Sequence, residues 1–127
     1  MDKINYYKYM FVIAALWNWV IAVIMILLTI VSPSSTKDFG MKVPPTWFFF
    51  HMLYFFVFLF GLFFYVTSRD MEKYHKLASI FVLEKVGVFI IALIYYMMGH
   101  FNEGGLLIAI GDLIFGILFL EFLVNFK

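Results

Sequence analysis

LASIFVLEKVGVFIIALIYYMM, residues 77–98, is the stretch that decides the fold of this chain. It is an apolar run close to the ~20 residues that cross a bilayer's hydrocarbon as helix, and it carries Glu84 and Lys85 side by side in its interior. An ionisable side chain at membrane depth is costly unless it is paired, wetted or near enough to an edge to snorkel. A cation retained there therefore marks a site.

Three further runs of the same kind surround it, residues 10–31, 47–66 and 106–124. With 65% of its 127 residues hydrophobic, 23% aromatic and 13% charged, the chain lacks the polar surface of a soluble domain. The expectation is an all-α integral membrane protein, a single four-helix bundle with short connections and no room for an extramembrane catalytic domain. Ser32, Pro33, Ser34 and Ser35 close the first run, and Pro44, Pro45 and Thr46 precede the second, both poor helix-interior sequence. The turn from Gly99 to Gly105 makes the last two helices an antiparallel hairpin. The first run is too long for a signal-peptide core and reads as a retained helix.

Basic residues set the orientation. Lys3, Lys8, Arg69, Lys73, Lys76 and Lys127 fall on one side of a four-span topology, and Lys37 and Lys42 on the other. The richer side is expected in the cytoplasm, with both ends of the chain there. The formal net charge of +1 and the scattered lysines give no reason to expect nucleic acid. Without cysteine, disulfides, thiolate metal sites and cysteine nucleophiles are excluded. The expected partners are lipid, a second copy of the chain or another membrane protein.

In membranes the inward faces are those with small and polar residues, because close packing rather than hydrophobicity drives helix association. Ala14, Asn18 and Ala22 share one face of the first helix. His51, Tyr54, Phe58, Gly61 and Tyr65 keep the helical rhythm in the second. Ala78, Lys85, Ala92 and Gly99 recur every seventh residue in the third, and Gly105, Ala109, Asp112 and Gly116 mark the fourth. Two polar layers are expected, one of Asn18, Glu84 and Lys85 toward the cytoplasm, the other of His51, Tyr54, Tyr95 and Asp112 toward the outside. Glu121 falls near the cytoplasmic edge.

Lys85 and Asp112 are the obvious ion pair, although folding the hairpin about its turn offsets them by about six residues, or ~9 Å. A direct contact then requires an extended lysine, helix tilt or a bridging water; Glu121 and Glu84 are alternative partners. His51 and His100 form a candidate haem or metal pair, but neither has a carboxylate fixed beside it by spacing, and no metal site is expected. Thr29 and Ser79 are read as having no histidine at their depth, which argues against a serine-hydrolase type of enzyme. A non-catalytic role is expected, with no obligatory cofactor; quinone or haem is the form a redox role would take.

Trp17-Asn18 in the first helix, Gly61, Tyr65 and Arg69-Asp70 closing the second, Lys85 in the third, and Gly111-Asp112 with Phe115 in the fourth together resemble small DoxX-like bacterial membrane proteins. The resemblance implies a four-helix protein of the cytoplasmic (inner) membrane, and a link to membrane oxidoreductase systems and quinone-connected sulfur chemistry. Three readings of function stand: a non-catalytic subunit or assembly factor of a membrane complex; an oligomeric proton-linked or small-solute transporter, motivated by Lys85, Asp112 and the His51 cluster; and a redox subunit holding a quinone or haem.

Overall fold

The computed structural model describes residues 2–126, and its regular elements are all helical. In chain order they are α1 (Lys3–Val31), a 3₁₀ turn (Pro33–Phe39), α2 (Phe48–Arg69), a second 3₁₀ turn (His75–Leu77), α3 (Ala78–Met97) and α4 (Glu103–Asn125). All four α-helices, α3 together with the 3₁₀ turn that leads into it, are long and apolar enough to cross a membrane.

α1 at its start, α2 at its end and α4 at both ends run past the apolar cores on which the sequence boundaries rest, while α3 stays within its run. The largest difference is at α1, which begins at Lys3 because Asp2 caps it, accepting from Asn5 N–H at 2.8 Å. At ~1.5 Å per residue a helix of 29 residues is about 43 Å long, more than the ~30 Å of a bilayer's hydrocarbon core. A hydropathy count stops at Lys8; the backbone does not. At the far end of α3, Gly99 takes φ +80°, His100 N–H donates to Tyr95 O at 2.9 Å and Gly99 N–H to Tyr96 O at 3.1 Å. This Schellman arrangement satisfies carbonyls that the helix end leaves without a partner, with glycine supplying the left-handed residue.

The described residues divide into two compact units. In the first, residues 1–33 and 44–74, α1 and α2 pack antiparallel: Ala15 lies by Gly61, Asn18 by Val57, and Thr29 by His51. In the second, residues 34–43 and 75–127, α3 and α4 pack antiparallel, with Phe81 against Phe119 and His75 against Phe122. The segment 34–43 joins α1 to α2 yet is held by the second unit. Asn102 makes that attachment: its N–H donates to Phe39 O at 2.9 Å, its Nδ2 to Asp38 O, and its Oδ1 accepts from Gly105 N–H at 3.1 Å as the cap of α4. Asn102→Ala removes the cap and the side-chain tether together. It is expected to cost about 0.5–2 kcal/mol and to accelerate tryptic cleavage at the exposed Lys37 and Lys42, read by mass spectrometry of timed digests.

Small residues lie where close approach is needed. Ala14, Ala15 and Ala22 of α1 are buried, as are Gly61 of α2, Ala78 of α3, and Gly105, Ala109 and Gly116 of α4. The large apolar side chains stand on the outside instead. Phe48, Phe49, Phe55, Phe56 and Phe63 of α2, and Leu83, Ile90, Ile91 and Ile94 of α3, are among many left exposed. An outside this apolar is the inverse of a water-soluble surface.

Candidate functional site

Lys85 is 1% exposed and the only Lys or Arg within the apolar runs. Its ammonium Nζ donates to Asp112 Oδ1 at 2.7 Å, the short separation of a charge-assisted hydrogen bond. Glu84 Oε2 stands 3.9 Å from the same nitrogen, and the Phe115 ring centroid 5.9 Å away. The two carboxyl side chains are 15% and 16% exposed. Glu84 Oε2 itself is buried and has no hydrogen-bond partner among the described residues.

The local sequence explains the approach of α3 to α4. Gly116 lies against the lysine: a Cβ built there would stand 3.2 Å from Lys85 Cβ and 3.1 Å from Val86 Cγ2. The glycine therefore brings the two helix surfaces together at the level of Lys85. Asp112 is one helical turn farther along α4, an axial step of about 6 Å, which the lysine's four-carbon stem spans. The expected offset of ~9 Å is thus an overestimate, since the hairpin's register is set by Gly116 on Lys85 rather than by symmetry about the turn, and the ion pair is direct. Gly116→Ile is expected to separate the helices, cost about 1–3 kcal/mol and lower the thermal midpoint in detergent.

In the first unit, polar contacts tie α1 to α2 at both ends of the hairpin. Asn18, 1% exposed, donates through Nδ2 to Val57 O at 3.0 Å, and Trp19 donates through Nε1 to Phe58 O at 3.2 Å. Both are side chain to backbone, and they tie neighbouring positions of α1 to neighbouring carbonyls of α2. Toward the other end, Thr29 Oγ1 lies 2.8 Å from Met25 O and 3.1 Å from His51 Nε2. Thr29 therefore does have a histidine beside it, contrary to the sequence expectation. The hydroxyl has carbonyl acceptors within its own helix, Met25 O and, at 3.1 Å, Ile26 O, and its contact with His51 ties α1 to α2. His51 also stacks on Trp47 at 5.9 Å.

The remaining sequence candidates distribute as follows. Tyr54, in the first unit, packs its ring on Phe50 at 4.9 Å. Tyr95, in the second, is exposed, with its ring 6.3 Å from that of the exposed His100. Tyr65 is exposed on α2, and Glu121 is exposed on α4. No group of three His, Asp or Glu side chains suited to a metal occurs among the described residues. The contacts of Trp19, Thr29 and Asn102 are unmarked by the periodicity argument. For Trp19 a signal existed, since an indole N–H in an apolar helix requires an acceptor.

The chain matches no known protein family, no curated protein and no solved structure.

Proposed function

We propose that the chain is a four-spanning protein of a bacterial cytoplasmic membrane, with both ends cytoplasmic, acting as a non-catalytic subunit or assembly factor of a membrane complex. The observation that carries this reading is the distribution of chemistry in α3 and α4: one buried lysine bonded to one aspartate, in helices whose outward faces are apolar. A buried ion pair adds little net stability compared with apolar packing, but it fixes register and partner. The pairing of small residues with direct polar ties in both hairpins serves the same end. The DoxX-like residues, Asn18, Gly61, Lys85 and Asp112 among them, favour a partner in a membrane oxidoreductase system, and oligomerisation with like chains is the alternative mode of assembly.

A second reading, a proton-linked transporter, is favoured by one specific observation, the buried and unbonded Glu84 Oε2 beside the Lys85–Asp112 pair.

Topology is the direct test. The chain has no cysteine, so single cysteines placed at Lys37 and at Lys73 are unambiguous reporters. In sealed inside-out vesicles an impermeant maleimide is expected to modify position 73 and spare position 37. Modification of both, or release of the chain by alkaline carbonate, contradicts the reading. Affinity capture in mild detergent then separates the two functions: a stoichiometric partner chain supports the subunit role, and proton flux in proteoliposomes of the chain alone supports transport.

A further inference from the structure

The geometry points to a single-proton binding site formed by Glu84, Lys85 and Asp112, in which Glu84 is the carboxyl that holds the proton. The inference rests on the membrane reading above and goes beyond it by assigning a ligand, H⁺, and the atom that takes it.

The apolar runs bring one cation and two carboxyl groups together. If both were ionised the cluster would carry one uncompensated negative charge, which an apolar surrounding strongly disfavours. One positive charge must be added, and the distances say where. Asp112 Oδ1 accepts from the ammonium at 2.7 Å and is the lysine's counter-charge. Glu84 Oε2 is 3.9 Å away, outside hydrogen-bond range, and is buried with no hydrogen-bond partner among the described residues. A carboxylate oxygen in that position lacks the donors that would support its charge; a carboxylic acid does not need them. From α4 the facing titratable group is Asp112, while Glu121 lies about 13 Å farther along the helix axis. The other lysines and the arginine lie outside the apolar runs. Because the ammonium lies 2.7 Å from Asp112 and 3.9 Å from Glu84, the proton on Glu84 and the ion pair are coupled: loss of Asp112's charge turns Lys85 toward Glu84 as its only carboxylate in the cluster, and the proton leaves.

Dicyclohexylcarbodiimide tests this, because it enters lipid and reacts with protonated carboxyl groups. The acid proton goes to one carbodiimide nitrogen and the carboxyl oxygen to its central carbon, giving an O-acylisourea, whose acyl group then migrates from oxygen to nitrogen to leave a stable N-acylurea. The full chain is reconstituted in phosphatidylcholine vesicles, treated at neutral pH and mapped by mass spectrometry. The wild-type protein is expected to gain one reagent molecule at Glu84 and none at Asp112. Glu84→Gln removes the label. In Asp112→Asn, labelling of Glu84 is expected to fall about tenfold, equivalent to 1.4 kcal/mol of added preference for the ionised form. In Lys85→Met both carboxyl groups lose their cation, and both are expected to label. Label on Asp112 in the wild-type protein overturns the assignment, as does Glu84 labelling in Lys85→Met but not in wild type. Absence of label from Glu84 in both proteins overturns it equally. Should Asp112→Asn fail to fold, the wild-type and Lys85→Met maps decide. Failure of the membrane reading is separate and visible beforehand, as protein washed from the vesicles by alkaline carbonate.

Discussion

Asp112→Ala is expected to destabilise the α3–α4 hairpin by about 3–5 kcal/mol, the cost of removing one partner from a buried ion pair. The reason is what remains. Lys85, 1% exposed, loses an acceptor at 2.7 Å, and Glu84 at 3.9 Å takes its place only by a movement of the side chains and the loss of its own proton. The effect is read as a lower midpoint of unfolding in mixed micelles titrated with dodecyl sulfate. The double variant Lys85→Met with Asp112→Leu separates charge from packing. It replaces both charges with apolar groups of similar volume, a change that is often neutral or stabilising, and is expected to recover most of the loss. Strong non-additivity is thus the signature of the pair. A double variant as unstable as the sum of the two single ones would mean that the side chains act independently.

Gly61→Leu is expected to have the next largest effect, confined to the α1–α2 hairpin. A Cβ at position 61 would stand 2.5 Å from Trp19 Nε1, 2.7 Å from Trp19 Cδ1 and 3.2 Å from Ala15 O. The indole must swing away, breaking its bond to Phe58 O, and the rest of the leucine then wedges the helices apart. Overpacking of this kind costs about 1–3 kcal/mol, with the lost interhelical bond adding roughly 0.6. Trp19→Phe in the same chain removes the bond in advance and leaves a smaller ring to move. Gly61→Ala is therefore expected to cost less in the Trp19→Phe background than in the wild type, measured by thermal unfolding in dodecyl maltoside. Equal costs in the two backgrounds would place the clash elsewhere.

What could be read from the sequence follows from which signals are periodic. The small-residue rhythm finds Ala14, Asn18 and Ala22, all buried, and it puts Lys85 and Asp112 on the facing sides of their helices. It also orders Ala109 and Gly116 correctly on α4. The seven-residue repeat on α3 is less durable. Each heptad drifts by ~20° on a straight helix, so Ala78 and Lys85 are buried, Ala92 is only half-buried, and Gly99 has left the helix to cap it. Register was not accessible in the same way. It depends on where two surfaces touch, and Gly116 against Lys85 decides it for α3 and α4, while Gly61 against Trp19 decides it for α1 and α2. For the same reason Thr29 and His51, separated by an irregular connection, cannot be matched from their positions in two separate runs. Asn102 is a lone polar residue with no period at all, and its role emerges only once the segment 34–43 folds back onto it.

The most direct measurement of the central claim is the separation of Lys85 Nζ from Asp112 Cγ in lipid. Protein labelled with ¹⁵N at lysine Nζ and ¹³C at aspartate Cγ, reconstituted in vesicles and studied by rotational-echo solid-state NMR, reports it on the unsubstituted pair, with Lys85→Met as the control that assigns the signal. A directly bonded ammonium and carboxylate predict strong dephasing of a lysine signal that disappears in Lys85→Met. Dephasing that persists unchanged in Lys85→Met, or none in the wild-type protein, would contradict a membrane-embedded Lys85–Asp112 pair.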